Sequence, residues 1–159
     1  MPSFIGFVPT PYDCIDGFFE LAPVYASDTV YDLGSGDGRL LFAALRKGAG
    51  KVVGVELEPD LVKSSRKTAA RKHVSDIATF MEADVLNVDL AGATVIFCYL
   101  YPTASEALKP KFEKELKRGT RVVMESFRIW GWKPEKTMEN GGKSFYLYTM
   151  PPEKAEVLK

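Results

Sequence analysis

Apolar positions along the chain alternate between two rhythms. Ile15, Phe18, Phe19 and Ala22 share one helical face after Thr10-Pro11-Tyr12-Asp13 and stop at Pro23. This predicts a helix over about residues 10–22, with Thr10 as N-cap, Pro11 first in the helix and Asp13 as the capping-box acid. Thr29–Leu33 is a short apolar run before glycines, which predicts a buried strand. Arg39–Lys47 predicts a helix with Leu40, Leu41, Ala44 and Leu45 inward, stopped by Gly48 and Gly50. Lys51–Val55 is a second strand, and Glu58-Pro59-Asp60 opens a helix running to about Lys72.

Ile77–Met81, Thr94–Tyr99 and Arg121–Ser126 predict three more strands. Between the last two, Leu108, Phe112 and Leu116 mark a helix over about Ala104–Leu116, which Pro110 should kink or split. Phe145–Met150 reads as a final strand, paired with Lys136–Glu139 across Asn140-Gly141-Gly142. Pro151–Lys159 reads as a frayed or weakly helical tail. Early alternation of strand and helix predicts a mainly parallel sheet covered on both faces, with the last strands joining antiparallel.

The 159 residues suit one domain, here 1–159, of which 46% are apolar and 26% charged. Two cysteines (Cys14, Cys98) and one histidine (His73) show no paired metal-ligand spacing, so zinc chemistry is excluded. Such sparse cysteine use fits a reducing, cytoplasmic setting. No basic segment leads into an apolar run at the amino terminus, and no apolar stretch reaches about 18 residues, so neither export nor membrane spanning is expected. The absence of Gln, with only Asn87 and Asn140 as amides, points to a thermophilic source. Net charge is zero, from 21 basic and 21 acidic residues, which argues against binding nucleic acid by bulk charge. That zero is uneven: residues 1–38 hold six acids (Asp13, Asp16, Glu20, Asp28, Asp32, Asp37) and no Lys or Arg. An acidic edge could steer basic partners inward.

Candidate chemistry concentrates in Val30-Tyr31-Asp32-Leu33-Gly34-Ser35-Gly36-Asp37-Gly38-Arg39. This is a strand, a glycine turn and a helix start. The third glycine of a dinucleotide fingerprint would fall on Arg39, and no GK[ST] follows, so neither a dinucleotide loop nor a P-loop fits. Asp32 and Asp37 would repel a pyrophosphate but suit a cationic ligand end. S-adenosyl-L-methionine offers an ammonium and a sulfonium, and its carboxylate can meet backbone N–H groups. Glu56, 22 residues after Gly34 and followed by Leu57, can accept both ribose hydroxyls. Asp84, in Glu82-Ala83-Asp84-Val85, can accept from an adenine amino group while Val85 covers the ring. Blander readings stay open: a turn-forming Asp32, a helix-entry Glu56, a solvated Asp84.

Acid–GxGxG, ribose acid and adenine-edge acid, in that order, resemble the class I S-adenosylmethionine-dependent methyltransferases. The resemblance implies an α/β, Rossmann-like, doubly wound, mainly parallel seven-stranded sheet with an antiparallel carboxyl-terminal hairpin. It also implies cofactor contacts from Asp32, Gly34, Ser35, Gly36, Gly38, Glu56, Leu57, Asp84 and Val85. After the fourth strand, Cys98-Tyr99-Leu100-Tyr101-Pro102 lacks the amide or acid of the [ND]PP[YF] motif that grips sp² amino groups. Tyr99 and Tyr101 instead suit an amine that becomes cationic on methylation, and are the expected catalytic-channel residues. They could equally be packing residues. No dedicated general base is expected, since the amine could lose its proton to water.

Val8-Pro9-Thr10-Pro11, Gly54-Val55-Glu56, Leu108-Lys109-Pro110-Lys111, Glu115-Leu116, Gly119-Thr120-Arg121-Val122-Val123 and Gly131-Trp132 narrow the likeness further. Over roughly residues 8–150 the chain resembles small protein-lysine methyltransferases. These include archaeal enzymes of broad range and eukaryotic enzymes acting on the ATP synthase c-subunit. The resemblance implies a lid in which Thr10 and Tyr12 sit beside the cofactor. It implies protein lysines as acceptors, small basic chromatin proteins among them, and a monomer with no nucleic-acid requirement. Tyr-Leu-Tyr-Pro departs from the archaeal pattern. An RNA or small-molecule methyltransferase, using the basic face of Lys63, Arg66, Lys67, Arg71 and Lys72, and a non-catalytic binding module are the rivals.

Overall fold

The computed structural model describes residues 10–155. Val8 and Pro9 therefore lie outside the described residues, as do residues 156–159 of the tail. Chain order is α1 (Tyr12–Leu21), β1 (Thr29–Leu33), α2 (Arg39–Arg46), β2 (Lys51–Glu56), α3 (Pro59–Arg71), β3 (Ala78–Glu82), β4 (Val95–Cys98), α4 (Pro102–Glu115), β5 (Arg121–Glu125), β6 (Trp132–Lys133), β7 (Lys136–Asn140), β8 (Lys143–Thr149) and β9 (Glu153–Lys154). A 3-10 turn, Val85–Asn87, follows β3.

Seven strands form one sheet in the order β3-β2-β1-β4-β5-β8-β7. The five strands from β3 to β5 are parallel, and β8 and β7 join antiparallel. Two glycines with positive φ, Gly141 and Gly142, make the two-residue β7–β8 hairpin turn, a geometry that matches strand twist. Strand alternation sends Val30, Val52, Phe97, Val123 and Phe145 to one face, where they pack with Phe18, Phe19, Leu41 and Val62 of α1, α2 and α3. The opposite face carries Leu33, Val55, Ile96, Val122 and Met124, covered by Leu108 and Phe112 of α4. Phe18 anchors α1 to the sheet, with its ring 4.9 Å from Phe97 and 5.0 Å from Phe145. Gly17 makes this possible, because a Cβ there would lie 2.6 Å from the Phe145 ring.

Three expectations are corrected. Thr10 is not the N-cap of α1; Pro11 holds that position, and no side chain caps the helix. With φ −56° and ψ 142°, Pro11 is extended, so the helix starts one residue later than the capping-box reading requires. Pro110 does not split α4, which runs 14 residues without a break. Leu108 and Phe112, both buried, pin the turns on either side of it and offset the lost backbone bond. Residues 153–154 of the tail are not helical but form β9, antiparallel to β6. Trp132 explains this: buried against Phe112 and Tyr148, it holds β6 in place as an edge for the tail. Three of the six amino-terminal acids form ion pairs, Asp16–Lys47, Asp28–Arg121 and Asp37–Arg39.

Candidate functional site

Strand order reverses at β1. From it the chain steps outward to β2 and β3 on one side and to β4 and β5 on the other. Loops leaving the carboxyl ends of β1 and β4 therefore diverge and leave a crevice, where open α/β sheets bind ligands.

The glycine loop forms the floor of this crevice. Gly34, Gly36 and Gly38 all have positive φ (89°, 56°, 83°), which other residues adopt only with strain. Gly38 is the N-cap of α2, and a Cβ there would sit 2.9 Å from Phe42. Gly34 and Ser35 both donate N–H bonds to Val55 C=O, which lays the loop across the end of β2. Gly54 allows that approach, since its Cβ would meet Ser35 Oγ at 2.6 Å. Glu56 braces the loop directly. Its Oε1 accepts from Gly36 N–H at 2.9 Å and its Oε2 from Glu58 N–H at 3.0 Å.

Asp32 lies beneath the loop and is 6% exposed. Burial, then the charges of Glu56, Glu125 and Asp37, holds its carboxyl well above the usual carboxylate range. Ser35 Oγ is buried with no hydrogen-bond partner among the described residues. Asp37 faces the other way. Its carboxylate takes two N–H donors of the Arg39 guanidinium, with the shortest contact at 2.8 Å. Burial pushes the Asp37 carboxyl up, but the Arg39 bonds and charge outweigh it and leave it below the usual range. Arg39 also stacks 4.5 Å over the Tyr12 ring and donates to Thr10 C=O at 3.4 Å. Thr10 and Tyr12 are thereby tied to Arg39, the residue that follows the glycine loop.

Around the rim, Leu57 is exposed beyond Glu56. Asp84 and Val85 follow β3, and Asp84 Oδ1 accepts from Leu86 N–H at 2.9 Å, so it shapes its own turn. Tyr99 follows β4. Tyr101 is the N-cap of α4, 45% exposed, with its ring 6.0 Å from Phe127. Sequence reasoning missed two residues. Arg39 ties the amino-terminal segment to the loop. Glu125 ends β5 with both carboxylate oxygens buried and unpartnered among the described residues. A signal for Glu125 existed: β2, β3 and β5 all finish on an acid, as Lys51–Glu56, Ala78–Glu82 and Arg121–Glu125.

This donor set fits S-adenosylmethionine. Buried carboxylates suit its cations, the unpartnered Ser35 Oγ awaits a polar partner, and glycines leave the backbone open to close approach. The seven-stranded sheet, switch-point crevice and acid–GxGxG loop define an S-adenosylmethionine-dependent methyltransferase.

Comparison with known proteins agrees. The chain belongs to the family of the ANTKMT methyltransferase domain, whose model matches residues 32–136. A protein-lysine N-methyltransferase of Saccharolobus islandicus is 36% identical over 92% of this chain and 94% of its own. The ATP synthase c-subunit lysine N-methyltransferase of Mus musculus is 36% identical over 75% of this chain, and the match spans 48% of that protein. Among solved structures, an RNA methyltransferase from Salinibacter ruber bound to S-adenosyl-L-homocysteine superposes with a TM-score of 0.88 at 40% identity. That match covers 96% of this chain and 99% of the other.

Proposed function

We propose that this chain is a protein-lysine N-methyltransferase. One observation carries the reading: the segment that leaves the carboxyl end of β4 carries Tyr99 and Tyr101 and no amide or acid to hold an sp² amino group. Aromatic faces stabilise an amine that becomes cationic as it is methylated, by roughly 0.5–2 kcal/mol. The lysine methyltransferase of Saccharolobus islandicus, similar along nearly its whole length, supports the same acceptor.

Asp32, Gly34, Ser35, Gly36 and Gly38 hold the methionine end, Glu56 accepts the ribose hydroxyls, and Asp84 with Val85 and Leu57 borders the adenine. Thr10 and Tyr12, clamped by Arg39, close the methionine side. Bound there, S-adenosylmethionine supplies an activated methyl group on a sulfonium. The chain's task is then to keep nitrogen, methyl carbon and sulfur in line and to exclude water. Small basic chromatin proteins are suitable substrates, the enzyme works as a cytoplasmic monomer, and its source is thermophilic. Among the described residues no helix is long and apolar enough to cross a membrane.

RNA is the second reading, favoured by the likeness to the RNA methyltransferase of Salinibacter ruber. The α3 surface that could meet phosphate is partly committed: both Nε and Nη2 of Arg66 bond Phe80 C=O, at 3.0 and 2.7 Å. Incubating the enzyme with methyl-labelled cofactor and a cell extract separates the two. Label that survives nuclease, is lost on proteolysis and maps to lysine supports the proposal. Label only in RNA overturns it.

A further inference from the structure

Glu125 is a buried carboxylate at the carboxyl end of β5 to which cofactor binding gives no work. It is 0% exposed, and neither carboxylate oxygen has a hydrogen-bond partner among the described residues. Buried polar groups are almost always paired, so a carboxylate kept without donors is costly and calls for a ligand that completes it.

The backbone fixes where this carboxylate sits. Alternation along β5 puts Glu125 on the face of Val123, which packs with Phe97 and Phe145 under α1. Met124 pairs with Cys98 at the end of β4, so Glu125 stands level with the start of the Tyr99–Tyr101 segment. Beyond it the chain turns abruptly. Ser126 has φ 71°, and Phe127 N–H bonds back to Glu125 C=O at 2.9 Å, which makes a strained γ-turn. Ser126 N–H donates to Ser144 C=O at 2.7 Å and locks that turn onto β8. Strain of this kind outside glycine persists only where the surrounding structure enforces it, and it is concentrated at functional sites. Here it ends β5 at the buried acid, one strand away from Asp32 across β4 and on the same face of the sheet.

We propose that Glu125 receives the acceptor amine: its carboxylate takes hydrogen bonds from the incoming lysine Nζ and accepts the proton that the ammonium must lose. This rests on the lysine reading and replaces the expectation that no general base is present. In the first step R–NH3⁺ and the Glu125 carboxylate become R–NH2 and the neutral acid. The Nζ lone pair then forms the bond to the methyl carbon while the carbon–sulfur bond breaks, its electron pair staying on sulfur. The methylated ammonium leaves, and Glu125 returns its proton to water.

Titratable groups stand on the elements packed around Glu125, and two of them, Asp32 and Lys143, interact with it electrostatically. β1 contributes Asp32, β8 contributes Lys143, α1 brings Cys14 to the same core, and the segment after β4 carries Tyr99. Burial raises the Glu125 carboxyl to about 7, against the opposing pull of Lys143. A base poised near the working pH is well matched to proton transfer.

The test compares wild type with Glu125→Gln and Glu125→Asp in three measurements. Cofactor affinity by calorimetry should stay within about threefold, since Asp32 and Glu56 hold that ligand. Single-turnover methylation of a lysine-rich protein should fall roughly 100-fold in Glu125→Gln at pH 7.5, with kcat changing more than KM. Its rate should climb steadily toward alkaline pH as free amine accumulates, without the limb near 7 that wild type shows, and Glu125→Asp should restore part of the limb. Carbon-13 NMR of wild type should show the Glu125 carboxyl titrating near 7 and moving when a lysine peptide binds. A wild-type rate profile in Glu125→Gln overturns the proposal, as does a loss of cofactor affinity equal to the loss of rate. If neither variant folds, a wild-type Glu125 that titrates near 4.5 and ignores the peptide overturns it alone. Wild type that methylates RNA and no protein overturns the lysine reading itself, an outcome distinct from failure of Glu125 within an active lysine methyltransferase.

Discussion

Glu56 is positioned to do two jobs, and Glu56→Gln separates them. In the unliganded fold its two oxygens accept from Gly36 N–H and Glu58 N–H at 2.9 and 3.0 Å. Glutamine keeps one acceptor and turns an NH2 group toward the other donor. One charged hydrogen bond is lost and the other becomes neutral. Bonds to charged groups contribute about 1.5–3 kcal/mol and neutral ones about 0.5–1.5. Glu56 is half-buried, so the lower ends apply and the loss is about 2 kcal/mol. At this chain length that lowers Tm by about 4–8 °C, readable in a thermal melt without cofactor. The ribose contact adds a separate loss in affinity. Two hydroxyls that faced a carboxylate then face an amide, at about 1–3 kcal/mol in all, or roughly 5–150-fold in Kd by calorimetry. A Tm that falls while Kd stays within twofold refutes the ribose role and leaves Glu56 a brace for the loop. An unchanged Tm refutes the brace as well.

Gly17→Ala should destabilise the fold although alanine favours helices by about 1 kcal/mol, because its Cβ meets the Phe145 ring at 2.6 Å. Overpacking costs about 1–3 kcal/mol, so Tm should fall, and adding Phe145→Leu should recover part of it. Stability should also drop as pH rises from about 4.5 to about 7, because the native state holds the Glu125 proton over that window and the unfolded chain does not. This one group accounts for about 3 kcal/mol between those limits; urea midpoints at pH 5 and 8 should lose that much of their difference in Glu125→Gln. Tyr101→Ala and Tyr99→Ala should lower kcat/KM for a lysine-bearing protein by about 2–30-fold each at unchanged cofactor affinity, and unchanged kinetics would make the two rings packing only.

Local signals proved legible where the sequence itself bounds an element. β1 matches its expected Thr29–Leu33 because an apolar run meets glycines on one side and a loop on the other. The β7–β8 hairpin follows from Gly141-Gly142, which supply the two positive φ angles its turn requires. Where tertiary contacts decide, local reading failed. Nothing within Pro102–Glu115 announces that Leu108 and Phe112 hold the helix together across Pro110. Two residues of β9 carry no periodicity, and only the burial of Trp132 explains them. Charge was similarly hidden where an acid meets a base distant in sequence, as Asp28 meets Arg121 at 3.2 Å. In the site, Asp32 and Glu56 were visible because they stand at fixed offsets from a glycine loop. Glu125 stands at no fixed offset from that loop; its one local signal is the acid that ends β5 as acids end β2 and β3, and its place beside β4 comes only from strand pairing.

That placement gives the crevice its electrostatic logic. Asp32 and Glu125 are both buried, each without a cation in direct contact among the described residues; burial raises both carboxyls, and the charge of Glu125 adds to the rise at Asp32. The empty crevice therefore favours keeping protons on these acids. A ligand carrying positive charge reverses the balance at whichever acid it meets. On the proposed reading, the ammonium and sulfonium of the cofactor arrive on the Asp32 side and the lysine ammonium on the Glu125 side. Each cation lets its own acid ionise, and the distance between the two acids keeps the roles apart. Asp32 then remains charged throughout, as a binding group, because its partner keeps its ammonium through the reaction. Glu125 alone faces a cation that must give up a proton before it can react. Two carboxylates at the ends of β1 and β5 thus differ in function through the ligand each one faces, and the strained turn at Ser126 is what holds the second of them in place.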